Sequence, residues 1–261
     1  MHVAVVAALV FALGQAGPDA GEPGAQAKAA TDEAALREQV EVVAAAIGRM
    51  QKAAAKLKDV TATFHKKEFK GKQLPQELIE LKFRSSPRSV YLKWVGATYR
   101  GQEVLWRRGW NDDQVRVHTN TLPDFTVSIK PDSWIAMRST RHPTTQAGFD
   151  YTIDCFARDL VVGRSRIQCV KKAADAGVHQ IYGAPSHCYE LELDKDLCPE
   201  MYSYKARLCV NEDLELPSKV EVWDKDGGQV RPVEEYGYEH IKVDVGLTDK
   251  DFDPKNEAYR F

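Results

Sequence analysis

"LREQVEVVAAAIGRMQKAAAKLKDVTATFHKKEF" (residues 36–69) changes its hydrophobic period midway, and that change decides the fold. Apolar residues recur at Leu36, Val40, Val43, Ile47, Met50, Ala54 and Leu57, in alternating steps of four and three. Such spacing draws a single stripe along a helix, predicted here over 32–58. Thr31 or Asp32 can cap its first N–H groups, and Lys52, Lys56 and Lys58 suit the negative end of its dipole. From Val60 the period becomes two, with Val60, Ala62 and Phe64 on one side of a strand.

The same alternation continues through "ELIELKF" (77–83), "SVYLKWV" (89–95), "QEVLWRR" (102–108) and "QVRVHT" (114–119), with a turn at "GWNDD" between the last two. It resumes at 187–193, 204–210, 218–224 and 233–245. Short runs broken by Gly, Pro, Asn, Asp and Ser predict antiparallel strands with one wet face and one covered face. The stretch 146–174 reads as one or two helices, with Gly163 as a break or bend. The expected fold is therefore α+β: one large curved antiparallel sheet of about 10–11 strands, its concave side covered by two main helices.

Ahead of the predicted helix, residues 1–16 read as an export signal. The run from Val3 to Leu13 is too short to span a membrane, and Gly14-Gln15-Ala16 has the small-x-small pattern of a cleavage site. The alternative is a disordered apolar N-terminus. Residues 17–31 read as a Gly-, Ala- and Pro-rich tether, and 32–261 as a single domain. The net charge of −2 gives no bulk attraction to nucleic acid or to an anionic membrane. Membrane contact is expected to be peripheral or absent, and the protein to be a monomer.

Five cysteines lie in the second half. If Leu193 faces Tyr204, the antiparallel rule sets Leu191 against Ala206 and Tyr189 against Leu208, which aligns the apolar faces. Cys188 then faces Cys209, a candidate disulfide; the alternative is a neighbouring reduced pair. His187 with Cys188, Cys198 and Cys209 is a weaker metal set. No metal and no cofactor are expected.

Signals for catalysis are sparse, and no enzyme is expected. The sequence holds no G-x-S-x-G, H-E-x-x-H, P-loop or G-x-G-x-x-G pattern. His142 has no evident acid or nucleophile beside it, although Asp150, Asp154 and Asp159 are nearby in sequence. A structural role, in a connection that Pro143 forces to be extended, is the simpler reading. Arg158, Arg164, Arg166, Lys171 and Lys172 form either a face for lipid phosphates or a solvated helix face.

Four stretches carry a family resemblance: "RGQEVLW" (100–106), "IAMRSTRHPTTQAGF" (135–149), "LELPSKVEVWD" (214–224) and "YGYEHIKVDVGLTDKDFDPKNEAYRF" (236–261). They resemble an uncharacterised family of exported bacterial proteins, similar to the LolA-like superfamily of outer-membrane lipoprotein-sorting proteins (LolA, LolB, RseB). The resemblance implies an incomplete half β-barrel with helices inside, in the periplasm or cell envelope. It implies a binding or carrier protein for an acyl chain, lipid or lipoprotein. The alternative is an RseB-like sensor or interaction module for an envelope protein partner, with no ligand cavity. Leu36, Val40, Val43, Ile47, Leu81, Leu92, Trp94, Trp106, Trp134 and Met137 are the candidate apolar lining. Residues 128–149 are expected to cross the mouth, with Arg138, Arg141 and His142 at its rim.

Overall fold

A computed structural model describes residues 23–121 and 125–261; the expected signal, 1–16, lies outside the described residues. Helix α1 (Pro23–Ala54) is followed by strands β1 (Asp59–Glu68), β2 (Glu77–Arg84), β3 (Ser89–Trp94), β4 (Glu103–Arg107), β5 (Val115–His118) and β6 (Thr126–Ile129). Short α2 (Trp134–Met137) and α3 (Asp150–Ser165) come next. The chain ends with β7 (Val170–Ile181), β8 (Ala184–Leu193), β9 (Lys205–Asn211), β10 (Pro217–Asp226) and β11 (Gln229–Val243).

All eleven strands form one antiparallel sheet in the order β6-β5-β4-β3-β2-β1-β11-β10-β9-β8-β7. Two meanders run outward from the central β1–β11 pair. The sheet stays open, because its ends β6 and β7 are not paired to each other. The period-two alternation sends Val60, Ala62 and Phe64 of β1 into the same core as Ile79, Leu81 and Phe83 of β2. The opposite face is covered by the C-terminal segment: Phe252 is buried with Tyr91 and Leu105, and Tyr259 stacks on Tyr91 at 4.0 Å.

Three expectations change. Helix α1 begins at Pro23, so the second part of the expected tether is helical. Residues 170–174 belong to strand β7, not to a helix. Gly163 lies within α3 and permits close approach, since a Cβ there would sit 2.8 Å from Val170 Cγ2. The β8–β9 register agrees with the sequence reading: Tyr189↔Leu208, Leu191↔Ala206 and Cys188↔Cys209. Cys188–Cys209 is bridged, and a second disulfide, Cys169–Cys198, ties the start of β7 to the β8–β9 connection. His187 turns away from the cysteines and stacks on Tyr189.

Helix α1 packs along α3 and against β7. Its Val40, Val43, Ile47 and Met50 are buried in one core with Leu191, Leu193, Ala206 and Leu208. Arg49 of α1 reaches Tyr189 Oη at 3.4 Å, and Arg164 of α3 pairs with Glu41. The basic residues read as one face are distributed among separate carboxylates: Arg166 with Glu200, Lys171 with Asp194, and Lys172 with Glu190.

Candidate functional site

Between the β1–β6 wing and the connection from β6 to α3 lies a cavity of about 380 Å³. Strand register orders its floor into rows. One row is Tyr238, Phe64, Ile79 and Trp94. The next, towards β5, carries Leu81, Leu92, Val104 and Val117. On the other side of the aromatic row stand Tyr236, Lys66 and Glu77, followed by the Glu68↔Glu234 pair. The cavity is thus apolar along most of its length and charged at the end beside the β1–β2 turn.

The charged end is closely bonded. Tyr236 donates its hydroxyl to Glu68 Oε1 at 2.5 Å, and the Arg141 backbone N–H donates to Glu68 Oε2 at 3.0 Å. Lys66 Nζ bridges Glu68 at 3.3 Å and Glu77 at 3.2 Å, while the Trp94 indole N–H donates to Glu77 Oε2 at 2.7 Å. Glu234 accepts from Arg141 Nε at 2.7 Å, His142 Nε2 at 3.0 Å and the Tyr202 hydroxyl at 2.6 Å. Burial alone would raise the Glu234 carboxyl, but the bonds from His142, Tyr202 and Arg141 outweigh it and hold the group below the usual range. For His142 burial works against the charge, and Glu234 overcomes it, raising the imidazole. His142 Nδ1 lies 3.1 Å from Gln146 Oε1, so both ring nitrogens have polar partners.

The cover is pinned at two places. Arg141 and His142 tie it to Glu68 and Glu234, and Lys70 Nζ donates to the carbonyls of Met137 and Thr140. Further along, Arg88 donates to the carbonyls of Thr145 and Ala147 and forks onto Asp150. Gly148, at φ +117°, lets the chain pass the Phe83 ring, which would lie 3.1 Å from a Cβ. At the open rim Tyr99 adopts a left-handed backbone (φ 53°) and lines the opening with Ile135 and exposed Arg138.

Against this geometry the candidate lining divides. Leu81, Leu92 and Trp94 line the cavity. Val40, Val43 and Ile47 do not: their stripe is consumed by α3 and β7, and Leu36 packs at the edge of that core. The cover of this cavity is therefore the 135–148 segment rather than α1. Trp106 is buried beyond the hollow, its indole N–H turned to the Asp113 carbonyl. Trp134 is 73% exposed and Met137 half-buried outside the lining, because the single turn of α2 directs Ile135 and Ala136 inward. Of the rim residues, Arg141 and His142 anchor the cover, whereas Arg138 forms no such anchor among the described residues.

Lys66, Glu68, Glu77, Glu234 and Arg88 were absent from the sequence expectation. For the first four a signal existed. Lys66 and Glu68 are in phase with Val60, Ala62 and Phe64; Glu77 with Ile79; and Glu234 with Tyr236 and Tyr238, so charges fall on the inward face of strands.

Similar folds occur among solved structures at low identity. Lipoprotein LppX of Mycobacterium tuberculosis is 12% identical, over 82% of this chain and 99% of that one, at a TM-score of 0.47. A DUF1329 family protein from Desulfovibrio piger is 15% identical, over 85% and 99%, at 0.40. A putative outer membrane lipoprotein-sorting protein domain from Vibrio parahaemolyticus is 11% identical, over 79% and 95%, at 0.37. Comparison with curated proteins finds no match. Residues 57–261, which span every strand and the cavity, match the family described as "Protein of unknown function (DUF1571)", and the chain belongs to that family.

Proposed function

We propose that this protein is an exported binding or carrier protein that holds the acyl chain of a lipid or lipoprotein in the hollow of its β1–β6 wing. The observation that carries the reading is the cavity itself. Its volume of about 380 Å³ falls within the range of small-molecule sites, and its floor is apolar across five strands. Hydrocarbon burial contributes about 0.8 kcal/mol per CH₂, so a chain of several methylenes offsets the cost of association. Binding alone accounts for the geometry, since His142 is fully engaged by Glu234, Tyr202 and Gln146. Two disulfides suit an oxidising compartment such as the envelope. No helix among the described residues is long and apolar enough to cross a membrane.

A neutral fluorescent probe, N-phenyl-1-naphthylamine, tests the reading. Wild type is expected to enhance its emission saturably. The cavity-filling variants Leu92→Phe and Val104→Phe should keep the native circular dichroism and lose the enhancement. No saturable signal in wild type, or an equal signal in folded filled variants, overturns the reading. The exposed Trp134 supports the second reading, an RseB-like module with a protein partner. In that case Trp134→Ala abolishes partner binding while the filled variants retain it.

A further inference from the structure

The charged end of the hollow has a balance that bears on what head group it accepts. Three carboxylates face inward there: Glu68, Glu77 and Glu234, all nearly inaccessible to solvent. Two cationic side chains meet them, Lys66 and Arg141, and His142 places Nε2 against Glu234 and Nδ1 against Gln146. Each carboxylate oxygen already has a donor. Glu68 takes Tyr236, Lys66 and the Arg141 backbone; Glu77 takes Lys66 and Trp94; Glu234 takes Arg141, His142 and Tyr202. The cluster therefore leaves no carboxylate oxygen without a donor and has no excess positive charge to hold an anion.

An entering carboxylate or phosphate would add a fourth negative charge beside Glu68 and Glu77 in a place shielded from water. Like charges brought together without solvent are costly. Arg138 stands at the rim, but it is exposed, and a solvent-screened charge contributes little. What the polar end does offer is hydrogen-bond donors. Lys66 spends two of its three N–H groups on Glu68 and Glu77. Gln146, which presents its oxygen to His142, keeps its amide N–H₂ without a partner among the described residues. A carbonyl or hydroxyl oxygen can accept from either without bringing charge.

Resting on the acyl-binding reading above, we infer that the site selects chains with an uncharged head group, such as an ester, an amide or a glyceride, over free fatty acids and phosphate-headed chains. The register gives the orientation: the head lies on the Tyr236–Lys66–Glu77 row, and the hydrocarbon runs over Ile79 and Trp94 towards Leu92 and Val104.

The test is displacement of N-phenyl-1-naphthylamine from the full chain at pH 8 by 1-monolauroylglycerol, sodium laurate or dodecyl phosphate. Monolauroylglycerol is expected to displace at a concentration at least about tenfold below that of either anion. Glu77→Gln keeps an oxygen for the Trp94 indole and removes one negative charge. It is expected to narrow the gap between laurate and monolauroylglycerol severalfold. Laurate equal to or better than the glyceride on wild type overturns the head-group inference and leaves acyl binding standing. A folded Glu77→Gln with an unchanged gap overturns the electrostatic origin of the preference. Failure of all three chains to displace the bound probe overturns acyl binding and this inference together.

Discussion

The two wings of the sheet share one strand pattern and differ in what covers them. Over β7–β10 the cover is two packed helices, and side chains such as Ile47, Met50, Phe156 and Leu208 fill the space between. Over β1–β6 the cover is an extended segment with one turn of helix, held by polar anchors at Arg88, Arg141 and His142. A long amphipathic helix presents a continuous ridge that can interdigitate with a sheet and exclude voids. A strap pinned at its ends presents few inward side chains, and a hollow remains beneath it. The difference teaches that an alternating apolar strand face does not by itself specify a solid core. The covering element decides.

Glu234→Ala should have the largest effect. It leaves Arg141 and His142 facing a buried position with no carboxylate, at a cost of about 3–5 kcal/mol in denaturant unfolding. It should also free the strap, which limited proteolysis near Arg141 will report. A stable, protected Glu234→Ala protein would break the comparison by showing that the strap is held otherwise.

Truncation in the two wings sharpens it. Ile47→Ala, in the filled wing, is expected to cost about 3–4 kcal/mol and to leave probe binding intact in the folded protein. Leu92→Ala borders existing space and is expected to cost nearer about 2 kcal/mol while altering probe affinity. Equal penalties and equal probe binding would contradict a solid wing beside a hollow one.

The strap should also respond to pH. The folded His142 is raised above its ordinary value by Glu234, so its contribution is complete below about pH 6.5 and is lost as pH rises through the higher folded value. Glu234 is lowered, so its contribution is present above about pH 4.5 and is lost as pH falls through the folded value. Asp159, pushed up to about 7 by burial despite a bond from the Tyr202 backbone N–H, adds a loss of stability as pH rises from about 4 to 7. His142→Gln should flatten the alkaline limb, and Asp159→Asn the limb below it, in stability measured from pH 5 to 9. Trp134→Ala should have the smallest effect on stability, within about 0.5 kcal/mol, because the ring is in water.

The helix, most strands and the Cys188–Cys209 pairing were legible because each depends on local period and on one antiparallel register. The destination of α1 was not. A greasy stripe records that a partner exists, and the stripe reads the same whether α3 or a ligand covers it. The strap's anchors were half legible. Arg141 and His142 stood out near Pro143, but their partner Glu234 lies on β11, some ninety residues later. Only the inward phase of Glu234 with Tyr236 marked it. Strand β7 was misread because "VKKAADAG" alternates weakly and its alanines favour helices.

The most direct test of a ligand-binding hollow is a paramagnetic one. A monoacylglycerol with a nitroxide on its chain is added to protein with labelled methyl groups. The account predicts selective broadening of Ile79, Leu81, Leu92 and Val104, with Val40, Val43 and Ile47 sharp. Broadening centred on the α1 methyls, or none inside the protein at saturating lipid, would contradict it.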